Sequence, residues 1–333
     1  MKILFLSPSK TDSCSFYRAG GVAPGLERMM NGTTISVLQW DQIIMSWQTI
    51  LNYDLIMLQR PFLPEHLQVC EYVKNAGVPL WLDYDDNLLA VPPENPRHEL
   101  YNAQVREYIK KMLTLADVVS VPTEELKREF SAHNQNVTVI PNAFNDYIFK
   151  NSRNRLLSPQ RSPTILWRGS DTHIFDLMTV IDEVSALAAE YKQWQFMFMG
   201  FFPWFIKQNE NNNIFRLPGI DVLFYFKNGY AMRPYAMYTP LSDNPFNRAK
   251  SNIAWIEGSY FGAVSIVPDW EEWQKPGALT FKTPAEFREV MTVVLSGKLD
   301  TAAHVGKSWE YIQDCLMLSK VNVKRLELIN RLV

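Results

Sequence analysis

Arg168, Gly169, Ser170 and His173 lie in one short stretch directly after the apolar run Thr164-Ile165-Leu166-Trp167. Such a stretch can hold an anion. A glycine lets backbone approach a ligand, Ser170 or Asp171 can cap a following helix, and free N–H groups at a helix start favour negative charge. An arginine fork suits phosphate. An ordinary capped helix with a surface arginine fits the same residues, and His173 in the first turn fits a packing role as well as ligand contact. Further on, Lys250, Ala254 and Glu257 are spaced i, i+4, i+7. A helix starting near Asn247 then places Lys250 and Glu257 on one face, with Ser251 beside the lysine. Lys250 would meet phosphate and Glu257 would accept ribose hydroxyls, although by spacing alone a solvated face with two charges is favoured. Asp83-Tyr84-Asp85-Asp86 closes another apolar run. Asp83 and Asp85 fit a short pattern for a divalent metal bound by hard carboxylate oxygens, but two aspartates one apart are common, and a capping loop explains them equally. Three carboxylates crowded into a cleft would raise at least one pKa, which suits acid/base work. Arg18, after the first apolar run and beside Phe16 and Tyr17, could meet phosphate or a second substrate. A surface arginine at a helix start fits as well.

These side chains need a scaffold, and the apolar pattern supplies one. Strands are expected at residues 2–7, 33–38, 53–58, 78–82, 118–121 and 137–140, with helical spacing over residues 15–30 and 67–75. Residues 151–163 are polar, carry two prolines and read as a linker. The pattern then restarts, with strands expected at 164–167, 196–199, 222–226 and 264–267. Ile174, Leu177, Met178, Ile181 and Val184 mark one helix face. Strands apolar on both faces, alternating with helices, indicate parallel sheets covered on both sides. The fold class is α/β with two Rossmann-like domains, and ligands of such sheets bind at the carboxyl ends of strands.

The 333 residues carry 33 Lys plus Arg against 35 Asp plus Glu, a formal net charge of −2, so there is no global pull towards nucleic acid. With 47% hydrophobic and 20% charged residues, the chain is neither disordered, nor collagen, nor a disulfide-stapled miniprotein. No apolar run nears the ~18 residues of a membrane span. Met1 to Leu6 is too short for a signal peptide and lacks a small-residue cleavage site. Cys14, Cys70 and Cys315 lack zinc-site spacing and read as free thiols of a cytoplasmic protein.

Taken in order, the motifs resemble a GT-B glycosyltransferase of the large retaining group that uses nucleotide-diphosphate sugars, in a compact phage or bacterial form. Four stretches carry the likeness: Phe16-Tyr17-Arg18; Leu80 to Pro96, with Val91-Pro92-Pro93-Glu94-Asn95-Pro96; Val118-Val119-Ser120-Val121-Pro122-Thr123 leading to Val139-Ile140-Pro141-Asn142-Ala143; and Phe246-Asn247-Arg248-Ala249-Lys250-Ser251 through Glu257 to Val267. The resemblance implies an N-terminal acceptor domain (1–150), a C-terminal nucleotide-sugar domain (163–308) and a terminal helix (309–333) crossing back onto the first. It implies that Arg168 and Lys250 neutralise the diphosphate, with Asp85 and Asp86 as the other catalytic candidates where many relatives carry a histidine. Gly169, Ser170, His173, Asn247, Ser251 and Glu257 would line the donor, Tyr17 and Arg18 would face the acceptor, and Asn142 would sit at the hinge side. No metal or other cofactor is implied beyond the nucleotide-diphosphate sugar as co-substrate. One position departs from the family: Ala249 stands where relatives carry a glutamate near the transferred sugar, with Asn247 or Asp243 as substitutes. The acceptor is a glycan, lipid-linked glycan or protein. A modified DNA base, contacted by Arg153, Arg155, Arg161, Lys324, Arg325 and Arg331, is a less favoured alternative, as is a non-catalytic sugar-nucleotide or glycan binder. An NAD-dependent enzyme is disfavoured because no GxGxxG follows either first strand.

Overall fold

The structure is a computed structural model that describes residues 1–9, 12–43, 47–150, 153–158, 160–203 and 213–333. Among these residues the chain forms two six-stranded sheets. The first holds β1 (Lys2–Ser7), β2 (Thr34–Gln39), β3 (Leu55–Gln59), β4 (Leu80–Asp83), β5 (Val118–Val121) and β6 (Val137–Val139), in the order β2-β1-β3-β4-β5-β6. The second holds β7 (Ser162–Gly169), β8 (Gln195–Gly200), β9 (Ile214–Leu217), β10 (Pro234–Tyr238), β11 (Val264–Pro268) and β12 (Leu279–Phe281), in the order β12-β11-β10-β7-β8-β9. The strand pairs are parallel. Ile3, Leu4, Phe5 and Leu6 are all fully buried, as a strand covered by helices on both faces requires.

Both sheets reverse direction next to their first strand. In the first, the chain leaves β1 for the edge and returns on the other side as β3. In the second, β10 returns on the other side of β7. Crevices outside the carboxyl ends at such switch points are where open α/β sheets take ligands.

Several local expectations need correcting. Residues 222–226 are helical, within Val222–Met232. Val-Leu-Phe-Tyr-Phe has strand propensity, but Asp221 caps the helix by accepting from the Leu223 N–H, and Val222, Phe226 and Gly229 are its buried positions. The helix expected from Ile174 to Val184 is split into a 3-10 turn Asp171–His173, a short helix Ile174–Met178 and a helix Ile181–Glu190. Residues 15–30 likewise form two short helices, Ser13–Arg18 and Ala23–Glu27. The stretch read as a linker contains a helix, Arg153–Leu157, and β7 already begins at Ser162; residues 151, 152 and 159 lie outside the described residues. Strands β9, β10 and β12 were not expected.

At its carboxyl end, helix Thr301–Cys315 packs Trp309 and Ile312 into the core of the second sheet. Helix Leu318–Leu332 packs Leu318, Val321, Leu328 and Ile329 against the first, with Ile3 and Phe5. The crossing is pinned by Phe144, whose N–H donates to the Leu316 carbonyl and whose own carbonyl accepts from the Leu318 N–H. Among the described residues no helix is long and apolar enough to cross a membrane.

Candidate functional site

Both switch points open onto one cavity of about 130 Å³ between the two halves. Ser13, Cys14 and Tyr17 reach it from the segment after β1, and Asp85 and Asp86 from the loop after β4. Arg168 stands near the end of β7, His173 in the turn that follows, and Lys250 beyond β10. The cavity thus receives cations from the second half and carboxylates from the first.

Each cation has a carboxylate partner. Arg168 pairs with Glu257, at 2.7 Å from Nη2 and 2.9 Å from Nε to Oε2. The Tyr225 hydroxyl donates to the same oxygen at 2.8 Å, and the Tyr17 hydroxyl donates to Oε1 at 2.9 Å. Burial raises the Arg168 side chain's cost as a cation, but Glu257 outweighs it and holds the guanidinium charged. Lys250 reaches across the cleft to Asp86, Nζ to Oδ1 3.2 Å, with its ammonium 4.3 Å from the centre of the Phe246 ring.

Arg60, which the sequence reading missed, holds both carboxylates of the loop after β4. Its Nη2 lies 2.7 Å from Asp86 Oδ2. Its Nε lies 2.9 Å from Asp85 Oδ1, an ion pair too bent to count as a hydrogen bond. Arg60 has φ +50°, the left-handed region that non-glycine residues seldom adopt. Its N–H donates to the Asp83 carbonyl, which fixes that turn immediately after β3. Burial pushes the Asp85 carboxyl above the usual carboxylate range despite Arg60. Burial also acts on Asp86, but Lys250 and Arg60 outweigh it and bring its pKa down to about 2. The two neighbouring carboxyls are therefore shifted in opposite directions, Asp85 upward by burial and Asp86 downward by its two cations.

His173 is held from behind. Its Nδ1 donates to Asp176 Oδ2 at 2.9 Å, which places the proton on Nδ1 and leaves Nε2 to accept. Asp176 Oδ1 accepts from the Ser242 N–H at 2.9 Å and from Asn247 Nδ2 at 2.7 Å. Burial lowers the His173 pKa, favouring the neutral ring.

The structure redistributes the other expected residues. Lys250 and Glu257 do not share a helix: a short helix, Pro245–Arg248, ends before Lys250, and the next, Ile253–Phe261, begins after it. Glu257 is buried behind Arg168 rather than lining the cavity. Arg18 does not project into the cleft. It is buried, with Nε and Nη2 on the two Asp83 oxygens at 2.8 and 2.6 Å and Nη1 on the Ile140 carbonyl. Asp83 also accepts from the Ser120 hydroxyl, so both of its oxygens are engaged within the protein. Asn247 serves Asp176, and Asp243 pairs with Arg248 at the surface. Gly169 has no room for a side chain, because a Cβ there would sit 2.7 Å from the Trp167 ring, and Ser170 is exposed and bonded to Thr172. Neither lines the cavity. Asn142 and Ser251 do: Asn142 accepts from Arg18 and donates to the Ser251 hydroxyl at 2.8 Å, joining the halves at the cavity wall. Of the proposed backbone-binding arginines, Arg325 is buried, and Arg155 and Arg161 donate to nearby carbonyls. The Arg153 side chain lies outside the described residues.

Arg60 was legible by the same rule that picked out Arg168, a basic residue just after a strand. Tyr225 was lost to the misread strand, and Asp176 carried no local signal.

The sequence matches no protein-family model and no curated protein. The structure is similar to solved structures over its whole length. Sucrose-phosphate synthase from Thermosynechococcus elongatus superposes with a TM-score of 0.73 at 13% identity, covering 99% of this chain and 98% of that one. HepE of Anabaena, in complex with UDP and glucose, gives 0.69 at 13% identity, covering 99% and 100%. A putative UDP-N-acetylglucosamine 2-epimerase from Listeria monocytogenes gives 0.61 at 10% identity, covering 98% and 95%. The chain has the GT-B fold: two Rossmann-like units facing one cleft.

Proposed function

We propose that the chain is a glycosyltransferase that moves a sugar from a nucleoside-diphosphate donor to an acceptor hydroxyl. The observation that carries this is the convergence of Arg168, His173 and Lys250 on one cavity between the switch points of the two sheets. Structurally similar HepE is described with UDP and with UDP-glucose, which supports a nucleotide sugar as the ligand here.

In this reading Glu257 and Asp86 are internal counter-ions. They keep the two cations charged and aimed until the diphosphate arrives, and the incoming anion draws Arg168 and Lys250 towards itself. As the acceptor oxygen bonds to the anomeric carbon, the bond to the diphosphate breaks and its electron pair leaves with the phosphate. The acceptor proton passes to that leaving group. The diphosphate gains charge in this step, so the cations stabilise the transition state more than the ground state. No metal is needed for that charge. We assign retention of anomeric configuration from the motif order. Ala249 is buried against the first half, with its carbonyl accepting from the Thr123 hydroxyl, so position 249 gives the reacting sugar no acid.

Calorimetry with UDP, GDP, ADP and dTDP tests the site, and release of nucleoside diphosphate from the matching sugar donors tests the chemistry. A folded protein that binds none of the four rules the reading out. Binding without any release, with or without acceptor, leaves the non-catalytic binder instead.

A further inference from the structure

A second cavity, of about 320 Å³, lies on the other side of the His173–Asp176 pair: His173 lines the first cavity and Asp176 the second. Pro92, Glu94 and Asn95 reach it from the first half, and Phe175, Ser242 and Asn244 from the second. Its volume falls at the lower end of small-molecule sites, roughly 300–1,000 Å³.

Its chemistry is the opposite of its neighbour's. Among the described residues no Lys, Arg or His lines it. Two of its carboxylates are already satisfied, Asp176 by His173, Ser242 and Asn247, and Asp243 by Arg248 at 2.7 and 2.8 Å. Glu94 has no partner among the described residues. Asn95 and Asn244 each use Oδ1 to accept a backbone N–H, from Arg97 and Asn247, which leaves their amide NH₂ groups to donate. Phe175 is 42% exposed at this wall. A phosphate would meet Glu94 with no cation to offset it. A wholly apolar ligand would leave the two amides unpaired. A sugar ring satisfies both kinds of wall, since its hydroxyls donate to Glu94 and accept from the amides while its C–H face lies on Phe175.

We propose that this cavity binds an uncharged sugar ring, and that this ring is the acceptor. The acceptor is then a neutral glycan end and not a nucleic acid or a phosphorylated sugar. Calling the ring an acceptor rests on the glycosyltransferase reading; the binding of the ring does not.

The test uses saturation-transfer NMR on the full chain with methyl glycosides of glucose, galactose, mannose and N-acetylglucosamine, and with the 6-phosphates of the same sugars. Phe175→Ala and Glu94→Gln are run beside the wild type, with melting temperature as a fold control. At least one methyl glycoside is expected to bind, its phosphate to bind at least about tenfold more weakly, and Phe175→Ala to weaken binding by about tenfold, the scale for one lost aromatic face. No binding by any glycoside, equal binding of the phosphates, or binding untouched in both folded variants overturns the proposal. UDP titrated into the same samples separates the two readings. Glycoside binding that depends on Phe175, without binding of any nucleoside diphosphate, keeps the sugar site and removes the transferase. Nucleoside-diphosphate binding without glycoside binding does the reverse.

Discussion

Glu257 Oε2 lies 2.7 Å from Arg168 Nη2, and the two residues are 89 positions apart in sequence. The carboxylate that local spacing offered to a ribose is the counter-ion of the cation expected to hold phosphate. That relationship changes what substitution at either position should do. Arg168→Ala leaves a buried carboxylate with only the Tyr17 and Tyr225 hydroxyls to serve it. It should destabilise the protein by about 3 kcal/mol, the lower end for breaking a buried pair. Adding Glu257→Gln should recover part of that loss. Urea unfolding of the two variants decides it: a single variant as stable as wild type would show that the pair carries no structural weight.

Lys250→Ala should behave differently. Its partner Asp86 keeps Arg60 at 2.7 Å, so no charge is stranded. Stability should fall by no more than about 1 kcal/mol, while turnover should drop ~10²–10³-fold, the scale for losing one group that meets developing charge. Steady-state release of nucleoside diphosphate, with melting as a control, reads both numbers. Near-normal turnover in the folded variant would place the diphosphate elsewhere.

Activity should survive EDTA. In the proposed reading Arg168 and Lys250 would supply the charge that a divalent ion would otherwise bring, and the two oxygens of Asp83 are held by Arg18. Complete loss on chelation, restored by manganese, would refute this and return Asp85 and Asp86 to consideration as ligands.

Stability should fall in mild acid through His66. Its Nδ1 accepts from the Phe62 and Leu63 N–H groups, a role that a protonated ring cannot fill, and the ring stacks on Trp40 at 3.8 Å. Burial lowers its pKa from 6.5 to about 4. Between those values the unfolded chain binds the extra proton, so the contribution is complete above the unfolded pKa and is lost as pH falls towards the folded one. The loss is about 3 kcal/mol over that window. His173 is depressed in the same direction and adds to the slope. Denaturant midpoints at several pH values, for wild type and His66→Gln, isolate the His66 share. Parallel profiles would dismiss it.

What the sequence determined by itself was the class of fold and the neighbourhood of the site. Strands such as Ile3 to Leu6 or Leu55 to Leu58 are apolar at successive positions, and only a sheet covered on both faces buries them all. Because such sheets present ligands at strand ends, Asp85, Asp86, Arg168 and His173 are legible in the sequence, whereas Lys250 is suggested only by a helical spacing that the fold does not keep; all five line one cavity. Tertiary structure decided the rest. Whether Arg18 faces a cleft or a buried aspartate depends on Asp83, Ile140 and Asn142, which lie far along the chain and leave no trace in local spacing. Val222 to Phe226 reads as a strand by side-chain type and becomes a helix because Asp221 caps it and Phe226 packs under Tyr17 and Phe149. The partners of Arg168, His173 and Lys250 were equally hidden. An ion pair is fixed by distances of a few ångströms between elements, and sequence patterning specifies which face of an element is buried without specifying what meets it there.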